Sequence, residues 1–214
     1  MLSSLPMAVV IALSPFAIMP AIVLLLTPRP RAAAGAFLGG WALGVGLVTG
    51  AAVVAADLVD AYGTSPRWVE WTRLVLGAAL VVLGALRWRG RDAGGTPPAW
   101  LSGVKSATSR RALALGLTLS VANPKVLLLA VAGGIAIGAG AAGVAREVLG
   151  VVLFTAVSSL GVALPWFAFL AAPGPAMRML ERLRRWLEAN ADAVMAVVLM
   201  ALGLALLAKG VGGP

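Results

Sequence analysis

Residues 111–138 read RALALGLTLSVANPKVLLLAVAGGIAIG, and the four residues Ala122-Asn123-Pro124-Lys125 at the centre decide how the chain is read. The stretch is longer than the roughly 20 apolar residues that a helix needs to cross a bilayer. Between Ala112 and Ile137 its only charge is Lys125. A proline inside a helix removes one amide donor and clashes with the preceding turn. In hydrocarbon no water is present to take the freed carbonyl, so a side chain or a neighbouring helix must do so. The pattern therefore predicts a membrane helix interrupted at Asn123-Pro124, with Lys125 near the bilayer centre. A lysine there costs about 2.5–3.5 kcal/mol on insertion scales and ordinarily faces a cavity or a partner. The alternative is a shifted span from which Lys125 snorkels to an interface.

The rest of the chain is written for the same solvent. Of 214 residues, 61% are hydrophobic and 12% charged, against about 25% charged in an average soluble domain. The mean hydropathy is +0.99. Six spans are predicted, at about 4–26, 34–56, 71–88, 111–138, 147–170 and 190–209. The first lacks a positive leader and is followed at once by Arg29 and Arg31, so it reads as a retained helix. The chain contains no cysteine and no histidine, which excludes thiol redox chemistry, Cys/His zinc sites and histidine acid–base catalysis. No metal, no cofactor and no enzymatic activity is expected. The net charge of +9 is carried mainly between the spans, so it points to lipid headgroups and topology and not to nucleic acid.

Basic residues set the orientation. Loops 27–33, 89–110 and 171–189, with the ends of their flanking spans, hold twelve Lys and Arg, and the opposite side holds four. The richer side is expected in the cytoplasm of a bacterial plasma membrane, with both termini outside. Gly94-Gly95 and Pro97-Pro98 mark a linker over 91–109. Residues 176–188 alternate Met177, Leu180, Leu183, Trp186 and Leu187 with Arg178, Arg182, Arg184 and Arg185. This predicts a basic amphipathic helix on the cytoplasmic interface.

The halves repeat weakly. Leu13-Ser14-Pro15 matches Ala122-Asn123-Pro124, Phe37-Leu38-Gly39 matches Val148-Leu149-Gly150, and Leu83-Gly84 matches Leu202-Gly203. Three helices per half is an odd number, so the second repeat would enter the membrane inverted. Residues 1–90 and 110–214 are thus expected to form two inverted three-helix repeats, a plan common in secondary transporters with a midplane site between repeats.

The expected substrate path is Ser14, Pro15, Phe16 and Pro20 in the first span with Asn123, Pro124 and Lys125 in the fourth. No carboxylate lies deep in a span. Asp57 and Glu147, near span ends, are the only candidates for coupling or a gate, through Lys125. Gly35, Gly39, Gly40 and Gly44 have small-xxx-small spacing and are expected to let helices pack closely. Trp41, Thr155, Ser158 and Ser159 add modest polarity to the second and fifth spans.

Asn123-Pro124-Lys125 followed by Val126-Leu127-Leu128-Leu129 resembles the Asn-Pro-Lys motif of the LysE/RhtB exporter superfamily. The strings from Leu13-Ser14-Pro15-Phe16 through Thr27-Pro28-Arg29-Pro30-Arg31 to Gly35-Ala36-Phe37-Leu38-Gly39-Gly40-Trp41 resemble the GAP/Sap branch, the glycopeptidolipid- or sulfolipid-addressing proteins. The resemblance implies an all-α, LysE-like integral membrane fold. It implies a role in moving envelope lipids, their precursors or small amphipathic anions outward, or an accessory role beside export or synthesis machinery. Membrane lipids, that machinery and a second copy in a homodimer are the partners expected. Amino-acid exporters of the wider superfamily carry a Pro-Gly-Pro-like motif where this chain has Ser14-Pro15-Phe16, which argues against an amino-acid cargo.

The orientation is testable because the chain has no native cysteine. In spheroplasts, a membrane-impermeant maleimide should label Ser65→Cys and leave Ser102→Cys unlabelled until the membrane is opened. The reverse pattern would put both termini in the cytoplasm.

Overall fold

The computed structural model describes residues 4–61, 78, 81–82, 84–86, 88–89, 108–140 and 143–211, and among them every regular element is a helix. The helices are α1 (Leu5–Ala12), α2 (Pro15–Leu25), α3 (Pro30–Ala61), α4 (Ser109–Val121), α5 (Pro124–Gly138), α6 (Val144–Ala171) and α7 (Pro173–Val211). The expected linker 91–109 lies almost wholly outside the described residues. So does most of the third span, whose described positions between 78 and 89 are helical.

Two helices, over Pro30–Asp57 and Val144–Ala171, are each long and apolar enough to cross a membrane. Two further pairs, α1 with α2 and α4 with α5, pass the same test jointly but bend by 44° and 68°. The first, second, fourth and fifth expected spans thus correspond to elements of the structure, two of them broken. Pro20 does not break its helix: α2 runs through it to Leu25, and the interruption falls at Leu13-Ser14.

The chain divides into two compact units. Unit 1 contains residues 1–61 and 98–184 and is organised around α3, which packs against α2, α4, α5 and α6. Helical geometry advances about 100° per residue, and the burial of α3 follows that period. Phe37, Trp41, Val45 and Thr49 are buried, while Leu43, Leu47 and Val54 are more than half exposed and form the face for lipid. Close approach is made by glycine. A Cβ at Gly40 would strike the Leu113 carbonyl, one at Gly44 would strike Ser120, and one at Gly116 would strike the Phe37 carbonyl. Gly35 sits on the indole of Trp166, whose Nε1 donates to the Arg31 carbonyl at 3.1 Å. Gly39 departs from the expected packing role: a Cβ there would meet nothing within 4 Å on another element among the described residues, because its position on the wheel falls beside Leu43 on the outward face.

In unit 2, residues 62–97 and 185–214, Gly84 lies against Ala196 and Met200, with the Ala196 carbonyl 3.0 Å from where its Cβ would be. The expected interfacial helix 176–188 and sixth span 190–209 are not separate elements. Both lie in α7, which has 39 residues and is about 58 Å long. The reason is local. No glycine or proline occurs between Pro175 and Gly203, so nothing ends the helix. Leu180 and Leu187 are buried by protein, while Met179 and Trp186 are more than half exposed.

Gly161 on α6 makes one of the closest such approaches among the described residues of unit 1, against the Ala12 carbonyl and its carbon. Gly161→Ala should lower stability by about 1–3 kcal/mol through overpacking against rigid backbone, or about 2–10 °C in a chain of this size. Gly39→Ala should melt at or slightly above wild type. Thermal unfolding in detergent reads both, and an unshifted Gly161→Ala would contradict the packing.

Candidate functional site

The two helix breaks have nearly the same backbone path. At the first, Leu13 has φ −80° and ψ 3°, and Ser14 has φ −69° and ψ 120°. At the second, Ala122 has φ −83° and ψ −10°, and Asn123 has φ −80° and ψ 112°. In each, one residue leaves the helix, a polar residue extends as the N-cap of the next, and proline follows at its first position. This is where proline is best tolerated, since its missing N–H lies among those a helix start leaves unpaired. The residue before proline is also pushed toward extended backbone, so the dipeptides Ser14-Pro15 and Asn123-Pro124 fix the breaks by themselves.

The caps differ. Asn123 Oδ1 accepts from the Lys125 amide at 3.1 Å, which satisfies one orphan donor of α5. Ser14 is fully buried, caps nothing, and its Oγ has no hydrogen-bond partner among the described residues. Pro15 and Pro20 are buried, Pro124 is exposed, and Asn123 and Lys125 are half-buried. The Phe16 side chain lies outside the described set.

Both breaks sit near mid-height of the spanning helices. Ala12, just before the first, touches Gly161, within about one turn of the middle of Val144–Ala171. Ser120, just before the second, touches Gly44, at the middle of Pro30–Asp57. Helices α3 and α6 are antiparallel neighbours, since Gly35 meets Trp166 and Gly46 meets Thr155.

Four more buried polar groups, within about 8 Å of mid-height, lack a partner among the described residues: Trp41 Nε1, Thr49 Oγ1, Thr155 Oγ1 and Ser159 Oγ. A buried unpaired donor or acceptor costs about 1–3 kcal/mol. Other hydroxyls of the unit follow the usual local solution. Ser158 donates to the Phe154 carbonyl at 2.6 Å, Ser120 to Leu117 at 2.9 Å and Thr27 to Leu24 at 2.7 Å. Thr49, Ser120 and Gly161 carry no sequence signal of their own: a lone threonine, serine or glycine in an apolar span is ordinary, and only the packing singles them out.

Asp57 is not brought to Lys125. Asp57 is exposed beside the end of α5, with Oδ1 3.4 Å from where a Cβ on Gly138 would be. Lys125 is at the other end of α5, about 20 Å away along the helix. Glu147 is in the first turn of α6, where its charge complements the helix dipole. Among the described residues no group of three His, Cys, Asp or Glu could hold a metal ion.

No curated protein and no solved structure matches the chain. A family model, Sap, sulfolipid-1-addressing protein, matches residues 5–212. That match covers both breaks, all the helices that surround them and the whole of α7. With apolar helices long enough to span and a family defined by lipid addressing, this is a lipid-related membrane protein, and the chain belongs to the Sap (sulfolipid-1-addressing protein) family.

Proposed function

We propose that the chain is a plasma-membrane exporter that moves an envelope lipid, a lipid precursor or a small amphipathic anion outward through a site between its two helix breaks. The observation that carries this reading is the matched pair of breaks at mid-height. Discontinuous helices at that depth turn backbone dipoles and unpaired amides toward the membrane centre, where transporters bind substrate. The order short helix, short helix, long helix recurs as α1-α2-α3 and α4-α5-α6, which supports an origin in two repeats and, with three spans each, their inversion. Lys125 follows the second break and supplies a cation for an anionic headgroup. The likeness of Asn123-Pro124-Lys125 to the exporter motif supports the same role.

A second reading has its own support. The family takes its name from addressing a sulfolipid, which an accessory subunit of an export or synthesis complex would also do. Purified protein in liposomes separates the two. With a fluorescent anionic lipid in one leaflet, wild type alone should speed its movement, and Lys125→Ala should slow that movement at least about tenfold, the worth of one lost charge-assisted contact. Movement unchanged in Lys125→Ala would remove the role given to Lys125. No movement with wild type would favour the accessory reading.

A further inference from the structure

The five buried side-chain groups of unit 1 that lack a partner among the described residues are not scattered. Phe37, Trp41, Val45 and Thr49 lie on the buried arc of α3, between its contacts with α4 at Gly40 and Gly44 and with α6 at Gly35 and Gly46. The α3–α6 register set by Gly35 with Trp166 and Gly46 with Thr155 puts Trp41 level with Ser159, and Thr49 about one turn beyond Thr155. Ser14 joins at the Trp41–Ser159 level, because Ala12 lies against Gly161, two residues from Ser159. Together the groups span about 12 Å along α3, from the level of the first break to just beyond that of the second.

Two features set these groups apart from ordinary packing. First, serine and threonine in apolar helices normally bond back to their own helix, as Ser158 does one residue before Ser159. Ser14, Thr49, Thr155 and Ser159 make no such bond. Second, none carries a charge. Hydroxyls both donate and accept, and an indole N–H donates. A ligand that complements them offers donors and acceptors without a formal charge.

We infer that Ser14, Trp41, Thr49, Thr155 and Ser159 form a hydrogen-bonding seam for the uncharged, oxygen-rich part of the transported molecule, separate from Lys125. This rests on the proposed exporter site and divides it in two. The seam holds hydroxyl or amide groups, and the second break meets the charge. Asn123, whose side chain is committed to the Lys125 amide, is a positioning residue that keeps the second break open.

The test measures binding, not transport. Wild type and variants are placed in phosphatidylcholine nanodiscs and titrated with monooleoylglycerol, an uncharged diol, and with oleoyl lysophosphatidic acid, the same backbone bearing a phosphate. Thr49→Val and Thr155→Val remove one hydroxyl each at nearly constant volume, and Thr155→Ser restores one. Each removal should weaken monooleoylglycerol binding about three- to tenfold and leave the ligand-free melting temperature equal or higher, since a buried unpaired group is lost. Thr155→Ser should bind within about twofold of wild type. Wild type that does not bind the diol overturns the inference. So do variants that melt lower while binding the diol normally, which would make the hydroxyls structural. Loss of lysophosphatidic acid binding in Lys125→Ala, with diol binding kept, supports the division. If Lys125→Ala moves lipid normally but seam variants still lose the diol, the exporter role of Lys125 fails and the seam stands.

Discussion

The fold depends on how two interrupted helices are kept in a solvent without water. Pro15 and Pro124 each take an amide out of the ladder at mid-height, and hydrocarbon offers nothing in return. Such a break is tolerable only where protein encloses it. At the first break the enclosure is the contact of Gly161 with the Ala12 carbonyl, which brings α6 against exposed backbone. At the second it is the Asn123 cap on the Lys125 amide, with Ser120 seated on Gly44. The glycines of α3, α4 and α6 follow from this need, because a side chain at Gly40, Gly44, Gly116 or Gly161 would hold the helices away from the breaks they cover.

The same enclosure has a polar consequence. Surrounding the breaks with helices brings Thr49, Thr155 and Ser159 into the interior together with Ser14 and the Trp41 indole. Each uncompensated group opposes stability by about 1–3 kcal/mol. A purely structural interior would replace them with valine or alanine, as the lipid-facing positions Leu43, Leu47 and Val54 show that apolar residues suit this depth. Their gathering within about 12 Å along α3 fits the proposed site, where a molecule passes and is held briefly.

Much of this was legible from residue order. Hydropathy marks the spans, and Ser14-Pro15 and Asn123-Pro124 mark the breaks, because proline dictates backbone locally. What escaped is what depends on partners. Gly39 has the spacing of a packing glycine but points outward, since small-xxx-small spacing gives two faces and the sequence does not say which is covered. Thr49 is one hydroxyl among apolar residues until α5 and α6 bury it. Asp57 reads as a companion of Lys125 by elimination, yet the length of α5 separates Lys125 from the end where Asp57 lies. The interfacial helix 176–188 and the span 190–209 read as separate because amphipathic and apolar patterns meet between them, but no glycine or proline stops the helix.

On the proposed exporter reading, the two breaks line a path through the membrane. Cysteines placed singly at Ser14, Asn123 and Leu47 in this cysteine-free chain test it most directly, by reaction with a small, permanently charged methanethiosulfonate added in turn to each side of oriented vesicles. The account predicts reaction at positions 14 and 123 from both sides, slowed by a bound amphipathic lipid, and none at the lipid-facing position 47. Protection of 14 and 123 from both sides, equal to that of 47, would contradict it.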